Sequence, residues 1–186
     1  MIPDLSDWYW RADDGRVFSS RRVALVPADD AGLADWVAQG HFLVQWPRDA
    51  DGAQTTASLQ AVLDPYGLFA SLQAYAAARR YAVETGGILV NGLAVATDRI
   101  SQAMIGNAYA YVQVSGAASV SYKTGAGFVT LSADQIKVVA LAVGAHVQAC
   151  FKAEDDADAA LGATPPTITT LAQVDAVFAP LMPTPR

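Results

Sequence analysis

A chain of 186 residues is long enough for one domain, or for a small unit joined to a medium one, with a real core. Its net charge of −6 and pI near 4.6 exclude the basic face that direct nucleic-acid binding needs, since Arg21-Arg22 and Arg79-Arg80 are pairs and not patches. The lone Cys150 excludes an intramolecular disulfide framework, and the longest apolar run, Val138 to Val143, is expected to be too short to cross a bilayer. Apolar residues make up 53% and charged residues 16%, a balance that fits a globular chain with much of its surface against partners, or one simply rich in Ala. The start, Met1-Ile2-Pro3-Asp4-Leu5, lacks the basic and apolar segments of a signal peptide, so synthesis in a cytoplasm is expected.

In chain order, the aromatic-rich run Asp7 to Ala12 and the run Val17-Phe18-Ser19-Ser20 flank the turn Asp13-Asp14-Gly15-Arg16, a hairpin signal. Leu25-Val26-Pro27 reads as extended, Ala31 to Ala38 as a short helix stopped by Gly40, and His41 to Trp46 as a further strand. The polar break Pro47 to Gly52 marks a boundary. From Thr55 the pattern is helical: Leu59, Val62 and Leu63 share a face before Asp64-Pro65-Tyr66-Gly67 interrupts, and Leu68, Leu72, Tyr75, Ala76 and Val83 carry a longer helix to Thr85, with Gly86 expected at the left-handed stop. Asn91-Gly92 between Ile88-Leu89-Val90 and Leu93-Ala94-Val95 predicts a two-residue type I′ hairpin. Asp98 is placed to cap a helix to about Val114, and a second hairpin is expected across Gly125-Ala126-Gly127.

Ser132 and Gln135 have the spacing of a capping box. In the helix that follows, Ile136, Ala140, Val143, Val147 and Cys150 form one stripe. Val138, Leu141 and Ala145 form a second, expected to meet another helix or a second copy of the chain. An acidic run, Glu154 to Asp158, follows. Leu171, Val174, Val177 and Phe178 suggest a last short helix. The sum is an α+β chain: a small aromatic-rich β-hairpin or meander module over 1–50, a helix–hairpin–helix–hairpin–helix domain over 55–160, and a Pro-rich linker with a short helix over 161–186.

No catalytic set stands out, and an enzyme is not expected. His146 and Cys150 are four apart on a helix, a spacing at which two metal ligands can converge, but no other cysteine and only His41 could complete a site; a buried thiol beside a partly exposed imidazole accounts for both. Glu154, Asp155, Asp156 and Asp158 lack the glycine and terminal glutamate of a calcium loop and read as a solvated face. Gly125-Ala126-Gly127 lacks the following Lys-Ser or Lys-Thr of a phosphate loop. Trp8, Trp10, Trp36 and Trp46 fit a small aromatic core or a sugar platform. No cofactor is expected.

The order of Glu84, Thr85, Gly87-Ile88, Asn91-Gly92, Thr97-Asp98-Arg99, Ser101-Gln102, Lys123-Thr124, Leu131, His146-Val147 and Phe151 resembles one family, domain of unknown function 4376. The first fifty residues also resemble short N-terminal modules of phage tail proteins. The resemblance implies a bacteriophage or prophage tail-associated structural protein, in the virion tail after assembly in the host cytoplasm. Its implied partners are other tail or tail-fibre proteins or further copies of itself, with no nucleic acid and no membrane insertion. A fibre-assembly chaperone and, more remotely, a host-glycan-binding or hydrolysing protein are the alternatives. It brings no catalytic residues. Its signature positions read as caps, turns and an ion pair, with Gly86, Asn91, Gly92, Asp98, Ser132 and Gln135 specifying the fold and Arg99 facing Glu84 across the first hairpin.

Overall fold

The computed structural model describes residues 7–124 and 127–182, so Met1 to Leu5 and the Gly125-Ala126 turn lie outside the described residues. The fold is α+β, and it divides into two compact units. One comprises Met1–Ala76 with Asp158–Val174, the other Ala77–Ala157 with Asp175–Arg186. The division differs from the boundary expected near residue 50. The helix of Thr56–Leu63 buries Leu59 and Leu63 within the first unit, so the polar break at Pro47 to Gly52 is a loop and not a linker.

In the first unit, strands β1 (Tyr9–Arg11), β2 (Val17–Ser19), β3 (Ala24–Val26) and β4 (Val44–Gln45) form one sheet in the order β3-β2-β1-β4. The Asp-Gly turn pairs β1 with β2 antiparallel, whereas β4 returns parallel to β1. Helix α1 (Ala31–Ala38) makes that return, capped by Asp30, whose side chain accepts from Leu33 N at 2.9 Å. Tyr9, Val17, Val26 and Leu33 form the core beneath, with Trp36 and Leu43 against it. Helix α2 (Thr56–Leu63) starts with a capping box of Thr55 and Ser58.

Helix α3 (Leu72–Thr85) leads into the second unit, where β5 (Ile88–Val90) and β6 (Leu93–Val95) pair antiparallel. Asn91 and Gly92 have φ of 51° and 80°, the signs a type I′ turn needs. Gly86 does not take the left-handed position; the adjacent Gly87 does, at φ 89°. Gly86 continues the helical path, its N–H donating to Val83 O at 3.3 Å. A Cβ on Gly87 would stand 3.3 Å from Val95 O, so the strand partner and the backbone angle both require glycine there. Gly87→Ala and Gly92→Val are therefore each expected to cost about 1–3 kcal/mol. Unchanged denaturation midpoints would refute the turn geometry.

Helix α4 (Arg99–Ser115) is capped by Asp98, which accepts from Ile100 N and Ser101 N, both at 3.0 Å. It ends at Gly116 with φ 68°. Strands β7 (Ser119–Thr124) and β8 (Gly127–Ser132) form the second hairpin. Helix α5 (Ala133–Gly162) begins in a reciprocal box: Gln135 N donates to Ser132 Oγ at 3.2 Å and Ser132 N to Gln135 Oε1 at 2.8 Å. Ile105 and Val112 of α4 meet Ile136 and Val143 of α5 in the second core, with Ile88, Val95, Val120 and Leu131 of the hairpins closing it. Helix α6 (Leu171–Phe178), followed by a single 3-10 turn over Ala179–Leu181, buries Val174 and Phe178.

Helix α5 runs through the acidic segment instead of stopping near Phe151, because nothing from Lys152 to Leu161 breaks a helix and Lys152 pairs with Asp156 one turn on. At 30 residues it is long and apolar enough, by length and composition, to cross a membrane, which corrects the expectation drawn from Val138 to Val143 alone. Ile136, Val143, Cys150, Ala153 and Ala157 are buried along one face, and we read α5 as the central helix of its fold.

Candidate functional site

Several of the motif residues, Glu84, Thr97, Arg99 and Gln102 among them, gather around one carboxylate. Glu84, on the last turn of α3, is completely buried, alone among the charged side chains of the described residues. Its Oε1 accepts from Gln102 Nε2 at 3.1 Å and forms an ion pair with Arg99 Nη1 at 3.0 Å. Its Oε2 accepts from Arg80 Nη1 and from Arg99 Nη2 at 3.3 Å. Arg80 stands one turn before Glu84, and its Nε continues to Glu154 Oε2 on α5 at 2.8 Å. Helix α3, the start of α4 and the middle of α5 are thus tied at one point.

A shell of uncharged groups completes the node. Gln102 Nε2 also donates to Thr97 O at 2.6 Å, and the buried Thr97 hydroxyl accepts from Gly87 N at 2.8 Å. His146 Nε2 donates to Val83 O at 3.1 Å, so the imidazole anchors α5 to the end of α3. The Arg80 guanidinium lies 4.8 Å from the centre of the Phe151 ring, and Tyr81 has Arg80 and Arg99 at 6.0 and 5.7 Å.

Burial alone would raise the Glu84 pKa. The hydrogen bonds from Gln102 and Arg80 and the charges of Arg99 and Arg80 outweigh it and hold the carboxyl below its ordinary value. Glu84 is therefore ionised, and its two oxygens are engaged by three hydrogen bonds and a further ion-pair contact from Arg99. A fully buried carboxylate held below its ordinary pKa and paired with two guanidinium groups is a poor base for a substrate proton. The arrangement fastens elements together.

Cys150 is buried with Sγ 3.7 Å from His146 Nε2. Burial, with the Glu84 charge, pushes the thiol up to about 11, so it stays protonated and unreactive at neutral pH. The structure brings the His146–Cys150 pair together as packing and a helix tie. Of the acidic run, Glu154 joins the Arg80 pair and Asp156 pairs with Lys152, so these carboxylates do not converge. Among the described residues no three His, Cys, Asp or Glu side chains cluster as metal ligands would.

Trp10 and Trp46 are buried, with the Arg16 guanidinium 5.0 Å from the Trp46 ring centre. A cleft of about 380 Å³ runs past Phe18, Val23, Trp46, Gln73 and Thr169 in the first unit. Its aromatic rings belong to the core more than to the cleft wall, and Arg16, the charged residue of its lining, is paired with Asp14 at 2.7 Å. Val138 and Leu141 are 45% and 59% exposed and Ala145 is exposed, so the second stripe of α5 lies bare in the single chain.

Sequence reasoning paired Arg99 with Glu84 but missed Arg80, whose i,i+4 spacing could have revealed it, and Glu154, which carries no local signal. Comparison with known proteins adds one match. The model of a family described as Domain of unknown function (DUF4376) matches residues 68–178, more than half of the chain and the whole of the node. No curated protein and no solved structure matches.

Proposed function

The chain belongs to the DUF4376 family, and on that premise we propose that it is a bacteriophage or prophage tail-associated structural protein acting through protein–protein contacts at the tail tip or tail fibre. The observation that carries the reading is the node itself. Glu84, Arg99 and Gln102, three of the residues that resemble the family, meet in one buried ion-pair and hydrogen-bond node whose contacts tie elements together, so they preserve a shape and leave recognition to the surface. That surface supports protein partners: Leu93, Ile100, Val114 and Phe128 are each more than 70% exposed in the second unit. A net charge of −6 favours partners other than nucleic acid.

Tail and tail-fibre proteins are the proposed partners, with the virion tail as final location, assembly in the host cytoplasm and no membrane insertion. Mass spectrometry of purified particles tests the reading. The chain is expected in fixed ratio to another tail protein. Its absence from intact particles would overturn a structural role, and fibres that trimerise only when co-expressed with it would make it an assembly chaperone instead.

A further inference from the structure

The exposed face of α4 repeats with the period of a coiled coil. Ile100, Met104, Asn107, Tyr111 and Val114 follow one another at steps of four, three, four and three, and all are exposed. The four apolar members are exposed by 72%, 43%, 58% and 90%, in that order, while the opposite face, Ile105 and Val112, is held in the core. Over two heptads these steps keep the five side chains on one face, in line for a second helix to pack along it.

We propose that this face is a self-association surface that pairs α4 with α4 of a second copy of the chain. Three observations identify the occupant. No residue from Ile100 to Tyr122 is charged, so two copies of an acidic chain can meet there without repulsion, and a partner of opposite charge finds nothing to read. Asn107 lies at the centre of the stripe, seven residues from Ile100 and seven from Val114, so two copies related by a two-fold axis place it opposite itself in either direction. Its amide both donates and accepts, which makes it self-complementary, the use a seam asparagine has in fixing register. Ala103, Gly106 and Ala110 flank the seam, are exposed, and let two backbones approach.

The stripe is about 21 Å long at 1.5 Å per residue, which puts the contact near the lower edge of stable interfaces, about 1,000 Å² in total. The dimer is therefore concentration-dependent.

Purified full-length chain tests the proposal without any particle, so its outcome is separate from that of the tail assignment. Sedimentation equilibrium at about 100 μM should give twice the 19.5 kDa chain mass. The exposed double substitution Met104→Glu and Tyr111→Glu should return it to one chain with an unchanged circular dichroism spectrum. A wild type that stays at 19.5 kDa, a stoichiometry other than two, or a folded double variant that keeps the dimer mass overturns the proposal. As a check that does not depend on the double variant folding, Asn107→Cys under mild oxidation should form a covalent dimer on a non-reducing gel while wild type, whose Cys150 is buried, does not. Failure of Asn107→Cys to cross-link also overturns it.

Discussion

Glu84→Ala is expected to destabilise the protein by about 3–5 kcal/mol, because it strands the partly buried Arg80 and the Gln102 amide without their acceptor. For a chain of this length that loss lowers Tm by on the order of 10 °C, readable by circular dichroism. A melting temperature within error of wild type would show that the node holds nothing. Glu84→Gln keeps the shape and one acceptor and removes only the charge, which makes it the pH control. The folded-state pKa of Glu84 is below its ordinary value of 4.5, so its ionised form adds stability that is complete above that value. That stability is lost as pH falls through the folded pKa. The gap between wild type and Glu84→Gln should accordingly be full at neutral pH and shrink as pH falls below 4.5. A gap that widened in acid would reverse the sign of the argument.

Ile136→Ala should cost about 2–5 kcal/mol. Ile136 is fully buried where α4, α5 and both hairpins of the second unit meet, so the lost side chain leaves a cavity that four elements line. Leu141, five residues on along the same helix, is 59% exposed, and Leu141→Glu should leave the stability of the single chain within about 0.5 kcal/mol. Urea denaturation of the two variants measures the contrast. Equal losses would mean that α5 is covered on both sides within one chain.

Local chemistry was legible in the amino-acid sequence, and long-range pairing was not. The Asn91-Gly92 turn, the Asp98 cap and the Ser132–Gln135 box each depend on residues within four positions of one another, and each is found with its expected geometry. Gly86 and Gly87 show the limit of that reading: either glycine satisfies the helix-stop pattern, and only the position of Val95 O decides between them. The acidic segment reads as a solvated face, and its place on the same helix follows from charges that pair at i,i+4, as Lys152 and Asp156 do. The parallel seat of β4 beside β1 and the reach of Arg80 to Glu154 depend on tertiary closure, for which no neighbouring residue gives a sign.

The four charges of the node run Glu154, Arg80, Glu84, Arg99 and sum to zero. Beyond a Debye length, about 8 Å at physiological ionic strength, such an alternating row produces almost no field. The charges of the node are thus electrically silent to anything approaching the protein. They cannot steer an encounter or raise its rate, and salt should leave their contribution nearly untouched. A partner senses them only at second hand, through the backbone they keep in place.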